Sequence, residues 1–410
     1  MIKIGNFVYP WGNGHYSRMM RLHDHMIAAI ADAQMHYISK PPIYEKIQKR
    51  FAKNPERIHK VSVPTPIDGK FGPSLKLSML NITMPTAGNP PLIKQIADYL
   101  REERAIYNKE KFDLVINDGD MGSNVLAEKR NIPSLFVTNQ FRPKLWKSRA
   151  YLYPGLFYIS KQIAKASKIL VADSAPPYTI CDYNLNFPNE IMDKVLYVGH
   201  FAPKDTKHAR EESDLERLIR DVDYGYWMRT GNKVTNEGTG ERYNKIFARS
   251  EMSKERRIIS YAQDNPLIDS VLGYDGKKYS ISDAYEKRID WLQIDVGFLS
   301  EPQKETVLHG CKYAVVNGSH TVMGEIIGGK AKPIIGIPIY DEHENNIRWA
   351  QEKNLGVLAK NTKETVLAVA KIHNDYSSFS DALEEFSRNF DGNGASRTAK
   401  EATVILENKR

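Results

Sequence analysis

Short apolar runs, each followed by a polar or glycine-rich turn and then an amphipathic stretch, recur along the whole chain. Apolar runs without strict alternation mark strands covered on both faces, and three-to-four-residue spacing marks helices. In the first half the pattern predicts strands at residues 2–9, 36–39, 112–116, 132–138, 169–172 and 195–198. Helices are expected at 18–31, 41–51, 92–108 and 122–130. Residues 60–90, rich in Pro, Ser, Thr and Gly, read as loop, and the charge-dense residues 203–223 read as a connection. A second series follows, with strands at 225–228, 257–261, 291–294, 313–316, 333–337 and 356–358. Its helices fall at 242–249, 284–288, 303–309, 321–328, 344–353 and 362–373, and further helical patterns cover 380–388 and 397–407. Strands alternating with helices make an α/β chain with doubly wound sheets. The expectation is two Rossmann-like domains, 1–202 and 224–380, facing across a cleft with a ligand at the C-terminal ends of both sheets. Residues 381–410 are expected to pack back toward the first domain.

Composition narrows this. At 410 residues the chain exceeds one ordinary core. Its 41% hydrophobic and 26% charged residues fit a soluble globular protein. Cys181 and Cys311 match no metal or redox spacing, no run approaches the ~20 apolar residues of a membrane span, and the N-terminus has no signal-like pattern. The expected localisation is cytoplasmic. The net charge of +8 is uneven: nine Lys and Arg lie between Glu128 and Asp173, an interval without a single carboxylate. Without them the balance is −1, so the chain carries one basic face rather than a general positive charge.

Three turns carry candidate chemistry. Residues 317–325, Asn-Gly-Ser-His-Thr-Val-Met-Gly-Glu, follow the apolar run 313–316 and open a helix. Small residues there leave backbone N–H groups at the positive end of a helix dipole, a site for a diphosphate, or else an ordinary Ser/Thr cap. Gly12-Asn-Gly-His15 likewise follows a strand and opens a helix, where the dipole favours a neutral imidazole base. The loop lacks the third glycine and distal acid of a dinucleotide fingerprint. Asp118-Gly-Asp120 could hold a divalent metal, form a turn, or supply a carboxylate that orients His15. The sequence does not decide which Asp would do so.

Together these residues resemble the GT-B glycosyltransferases, most closely the group containing the bacterial peptidoglycan GlcNAc transferase and the UDP-glycosyltransferases. The first-loop match is Gly12-Asn-Gly-His-Tyr-Ser-Arg18. Phe298-Leu-Ser-Glu-Pro-Gln303, the 317–325 turn, Lys332–Pro338 and Asp341-Glu-His-Glu-Asn-Asn346 follow in family order. The resemblance implies an inverting, metal-independent transfer from a nucleotide sugar, UDP-linked, to a hydroxyl, with no other cofactor. It makes His15 the base with Asp118 or Asp120 its partner. Phe298, Leu299 and Gln303 would lie near the base, Glu325 on the ribose, and Gly14, Arg229, Thr230, Gly231, Gly318, Ser319, His320 and Thr321 around the diphosphate. Glu342 and His343 would face the sugar, and His343 departs from the family's usual Gln.

Within the carboxylate-free interval, Arg142, Lys144, Trp146, Lys147, Arg149 and Phe157 combine cations with interfacial aromatics. That chemistry suits an anionic membrane surface and a lipid or polyprenyl-linked acceptor, with the enzyme peripheral on the cytoplasmic face. It also suits nucleic acid, so a transferase modifying nucleic-acid bases is the runner-up. A GT-B-fold sugar-nucleotide epimerase and a non-catalytic sugar-nucleotide-binding subunit are the remaining alternatives.

Overall fold

The computed structural model describes residues 1–146, 152–202, 211–229, 231, 233–263 and 265–409. The chain forms two compact units. One comprises Met1–Ile67, Pro73–Pro203 and Asp391–Arg410; the other comprises Asp68–Gly72 and Lys204–Phe390.

The first unit is built on seven parallel strands in the spatial order Ile58–Lys60, Ala33–Ser39, Ile2–Val8, Leu114–Asp118, Ser134–Thr138, Lys168–Val171 and Val195–Tyr197. Leu114–Asp118 and Ser134–Thr138 are buried along their whole length, as their unalternating apolar runs require. The order reverses between Ile2–Val8 and Leu114–Asp118, which pair with Val8 opposite Asp118. The loops after these two strands therefore leave the sheet side by side, at the switch point where open α/β sheets bind ligands. The helix Gly394–Glu407 returns to this unit and packs on the helix Asn13–Ala29. Its Ala395, Ala399 and Ala402, spaced along one face, meet Met19, Leu22 and Met26 in one core cluster.

The second unit has an eight-stranded sheet. Its parallel part runs Trp291–Val296, Arg257–Ser260, Gly225–Met228, Tyr313–Val316, Ile334–Gly336, Gly356–Leu358, and an antiparallel pair, Ser270–Gly273 with Lys278–Tyr279, extends one edge. Here the order reverses between Gly225–Met228 and Tyr313–Val316, so the loops beginning at Arg229 and Asn317 share the switch point.

Several elements differ from the sequence pattern. The helix expected at 242–249 starts earlier and spans Lys233–Phe247. Gly238 and Gly240 masked its first turns, because glycine is a poor helix former. Both are there for space: a Cβ on Gly238 would lie 2.0 Å from the Lys70 carbonyl oxygen, and one on Gly240 would lie 2.7 Å from the Arg229 guanidinium. The segment that makes this contact, residues 68–72, comes from the expected loop 60–90 yet belongs to the second unit. Thr235 Oγ1 donates to the Gly69 carbonyl at 3.3 Å, and Lys70 pairs with Glu241 at 2.6 Å. Part of the expected connection is structured as well. Asp214–Leu218 is a helix with a Ser213/Glu216 capping box that buries Leu215 and Leu218. The tail divides: Ser377–Arg388 lies in the second unit, and only Gly394–Glu407 joins the first.

Candidate active site

In the first unit, Gly12 takes φ +85°, and the helix Asn13–Ala29 begins directly after it. This puts Gly14 and His15 in the first turn, beside the C-terminal end of Leu114–Asp118. His15 Nδ1 lies 2.7 Å from Asp118 Oδ1. One turn further on, Arg18 donates from Nε to Asp118 Oδ2 at 2.9 Å and from Nη2 to Oδ1 at 2.6 Å. Asp118 is completely buried and Arg18 nearly so. Burial alone would raise the Asp118 pKa, but the Arg18 and His15 charges and hydrogen bonds outweigh it and hold the carboxyl below its ordinary value. An ionised carboxylate only accepts, so the His15 proton sits on Nδ1 and leaves the Nε2 lone pair open. Arg18 Nη2, which bonds Oδ1, also comes within 3.1 Å of His15 Nδ1; the shorter 2.7 Å contact of that nitrogen with the carboxylate favours the Nδ1–H tautomer. Gly119, at φ +83°, would place a Cβ 3.2 Å from His15 Cε1, so a side chain there would press on the imidazole.

Asp120 is elsewhere. It caps the helix Met121–Lys129, accepting from the Ser123 N–H at 3.1 Å, and takes a hydrogen bond from the buried Tyr99 hydroxyl. The partner of His15 left open by the sequence is thus Asp118. The two carboxylates are committed to different neighbours, an arrangement unlike a paired metal site.

In the second unit, the turn after Tyr313–Val316 is shaped by Gly318 at φ +93°. A Cβ on Gly318 would meet the His343 carbonyl oxygen at 2.6 Å. Asn317 Oδ1 accepts from the Ser319 N–H at 3.0 Å, and Asn346 Nδ2 donates to the Gly318 carbonyl at 3.0 Å. The Ser319 side chain makes no capping bond to the helix His320–Met323 that follows. The amides of its first turn, Thr321 included, lack intrahelical acceptors by geometry. The helix continues as a π-turn, Gly324–Gly328, that carries Glu325. Lys304 Nζ pairs with Glu325 Oε2. Gln303 closes the capping box of Glu301–Gly310 with Ser300, Leu299 is buried, and the Phe298 ring is 64% exposed. Glu342 sits half-buried in the first turn of Asp341–Glu352. His343 is fully buried beneath the Tyr340 ring, with centroids 3.9 Å apart. Burial pushes its pKa down to about 3, against a hydrogen bond that it makes to the Asn317 backbone, so the imidazole is neutral.

Arg229 does not project from its loop. Its guanidinium donates to the Asn236 carbonyl at 3.2 and 2.9 Å and lies over the Tyr261 ring at 4.2 Å. Gly231 takes φ +94°, and Thr230 is outside the described residues. Of the basic-aromatic patch, Lys147 and Arg149 are also outside them. Arg142 stacks on Phe157 at 4.7 Å and bonds Ser160, and Lys144 lies over Trp146 at 3.9 Å and Tyr183 at 4.9 Å. These cations are held against neighbouring aromatic faces of the same unit.

The architecture has close counterparts among solved structures. The glycotransferase of kitacinnamycin superposes with a TM-score of 0.63 at 13% identity, over 98% of this chain and 99% of its own. CalG4, the calicheamicin glycosyltransferase, gives 0.63 at 12%, over 100% and 99%. UGT2 of Phytolacca americana, complexed with UDP-2fluoro-glucose and pterostilbene, gives 0.63 at 13%, over 99% and 100%. The fold is GT-B.

Sequence relatives are more distant in coverage. An uncharacterized glycosyltransferase of Methanosarcina mazei is 27% identical over 207 residues, which is 48% of this chain and 50% of that protein. Its counterpart in Methanosarcina acetivorans is 25% identical over the same length. The chain thus spans about half the length of the curated relatives it matches, and no family model matches it. On the GT-B framework, the residues that sequence reasoning missed are Arg18, Lys304 and the buried amide Asn346. Arg18 stood inside the quoted first-loop motif, one helical turn from His15, which was the available signal. Asn346 likewise stood at the end of the quoted 341–346 motif, whereas Lys304 gave no signal, because its partner is set by the strand order.

Proposed function

We propose that this protein is an inverting glycosyltransferase that moves a sugar from a UDP-linked donor to an acceptor hydroxyl without a metal ion. The observation that carries this reading is the buried Asp118 carboxylate shared by His15 and Arg18. It fixes the imidazole with Nε2 as acceptor and stabilises the imidazolium that follows. The acceptor proton passes to Nε2 as its oxygen attacks the anomeric carbon. The bond from that carbon to the diphosphate oxygen breaks, and one displacement inverts the centre. The Gly318–Thr321 turn, which opens the helix His320–Met323, takes the charge of the leaving UDP at the positive end of the helix dipole. Glu325, aligned by Lys304, receives the ribose, and Glu342 with the neutral His343 lies toward the sugar. The names of the Methanosarcina relatives support the transferase reading, and the UDP-2fluoro-glucose bound to the Phytolacca protein supports the donor class.

The acceptor we assign is a lipid or polyprenyl-linked hydroxyl at the cytoplasmic face of a membrane, in keeping with the basic-aromatic segment around Arg142 and Phe157. Among the described residues no helix is long and apolar enough to cross a membrane. A panel of nucleotide sugars in a thermal-shift assay identifies the donor, since stabilisation follows occupancy. His15→Ala should keep that shift while UDP release with acceptor falls by about 10²–10⁴-fold. Near-normal turnover in this variant would remove His15 from the role.

A further inference from the structure

Residues 75–96 of the first unit turn the usual arrangement of a surface loop inside out. Asn81 is buried, and its side chain organises the loop from within. Its Nδ2 donates to the carbonyls of Met84 at 3.1 Å and Pro90 at 2.9 Å, and its Oδ1 accepts from Gln95 Nε2 at 2.8 Å. Its backbone carbonyl accepts from the Leu92 N–H at 2.7 Å, and Thr86 and Asn89 bridge each other across the tip. The polar groups thus face inward and tie the short helix Leu75–Leu80 to the start of Leu92–Glu110. The large apolar side chains face outward. Met79, Leu80, Ile82, Met84, Ile93 and Ile96 are each between 41% and 65% exposed. Single exposed apolar residues need no explanation, but six on one tightly bonded loop mark an interaction surface.

The charge around them selects the occupant. Residues 75–96 hold Lys76 and Lys94 and no carboxylate, and both lysines are exposed. Protein interfaces are depleted in lysine, whereas an anionic bilayer takes apolar side chains into its acyl boundary and lysines at its headgroups. We propose that the Asn81-centred loop, residues 75–96, is the membrane-docking surface of this protein, seated on anionic phospholipid. This deepens the lipid-acceptor reading above and rests on it only for purpose, since docking needs no chemistry. It also moves the contact from the Arg142 segment, whose described cations are already engaged, to a loop built to present apolar groups.

The test is co-sedimentation of the full chain with vesicles of equimolar phosphatidylcholine and phosphatidylglycerol, and with phosphatidylcholine alone. The wild type should partition onto the anionic vesicles. Ile82→Ser/Met84→Ser/Ile93→Ser should lose at least about tenfold in partitioning, and Lys76→Gln/Lys94→Gln about fivefold per lysine on anionic vesicles only. Melting temperature and the donor-induced thermal shift should be unchanged in both, since no substituted side chain is buried. Wild-type levels of binding by the triple variant, or no vesicle binding by the wild type, would overturn the proposal. So would a triple variant that loses self-association in sedimentation velocity while retaining vesicle binding, which would assign the loop to a second copy. Vesicle binding without any donor binding would leave this surface standing and sink the transferase reading alone.

Discussion

Replacing Asp118 with Asn tests whether the buried carboxylate serves the fold, the chemistry, or both. In the native site three donors converge on it: Arg18 Nε at 2.9 Å, Arg18 Nη2 at 2.6 Å and His15 Nδ1 at 2.7 Å. An amide offers one oxygen and an N–H₂ group. Either way it is turned, an N–H donor of Arg18 or His15 faces another donor, and the guanidinium is left buried without its counter-charge. Breaking a buried pair from one side costs about 3–5 kcal/mol. Asp118→Asn should therefore shift the urea midpoint strongly. Arg18→Met/Asp118→Asn, which removes the stranded charge, should recover most of that loss. Activity should not follow stability. In both variants the imidazolium that forms on proton transfer lacks an ionised partner, and turnover should fall about 10³–10⁴-fold, the loss typical when a base is deprived of its orienting carboxylate. Urea denaturation read alongside UDP release separates the two effects. If the double variant regained turnover together with stability, the carboxylate would be a structural counter-ion and the proposed mechanism would lose its centre.

Two further outcomes follow from the second unit. His343 is held neutral by burial, with a pKa near 3 against about 6.5 when unfolded. The unfolded chain therefore binds one more proton between those values. The stability this residue contributes is complete above pH 6.5 and falls with acidification at about 1.4 kcal/mol per pH unit. Unfolding free energies measured from pH 7 to 4 should be less steep for His343→Gln, and identical slopes would refute the assignment. Gly318→Ala combines a left-handed backbone with a Cβ 2.6 Å from the His343 carbonyl oxygen, so it should cost at least about 1–3 kcal/mol and weaken donor binding. A neutral effect by calorimetry would mean that the turn relaxes freely.

The positions of most strands were readable because buried parallel strands write themselves as continuous apolar runs, whereas their spatial order was not. Gly225–Met228, for instance, coincides with the expected stretch. The position of His15 was readable for a related reason: a Gly-x-Gly turn between strand and helix fixes where the next side chain points. The identity of its partner was not, since Asp118 and Asp120, two apart, would share a face of a continuing strand, and only the left-handed turn at Gly119 separates them. The inward turn of Arg229 was equally hidden. It depends on Gly240, eleven positions further along the chain, making room for a guanidinium over Tyr261. The first turns of the helix Lys233–Phe247 were hidden by Gly238 and Gly240.

The return of Gly394–Glu407 to the core built around Met19, Leu22 and Met26 has a consequence for biogenesis. Nascent domains commonly fold in the order they leave the ribosome, the N-terminal one first. Here the helix Asn13–Ala29 cannot complete its apolar contacts until residues 394–407 have been translated. The first unit must wait through synthesis of the second with Met19, Leu22 and Met26 uncovered, a period in which a chaperone would have something to hold.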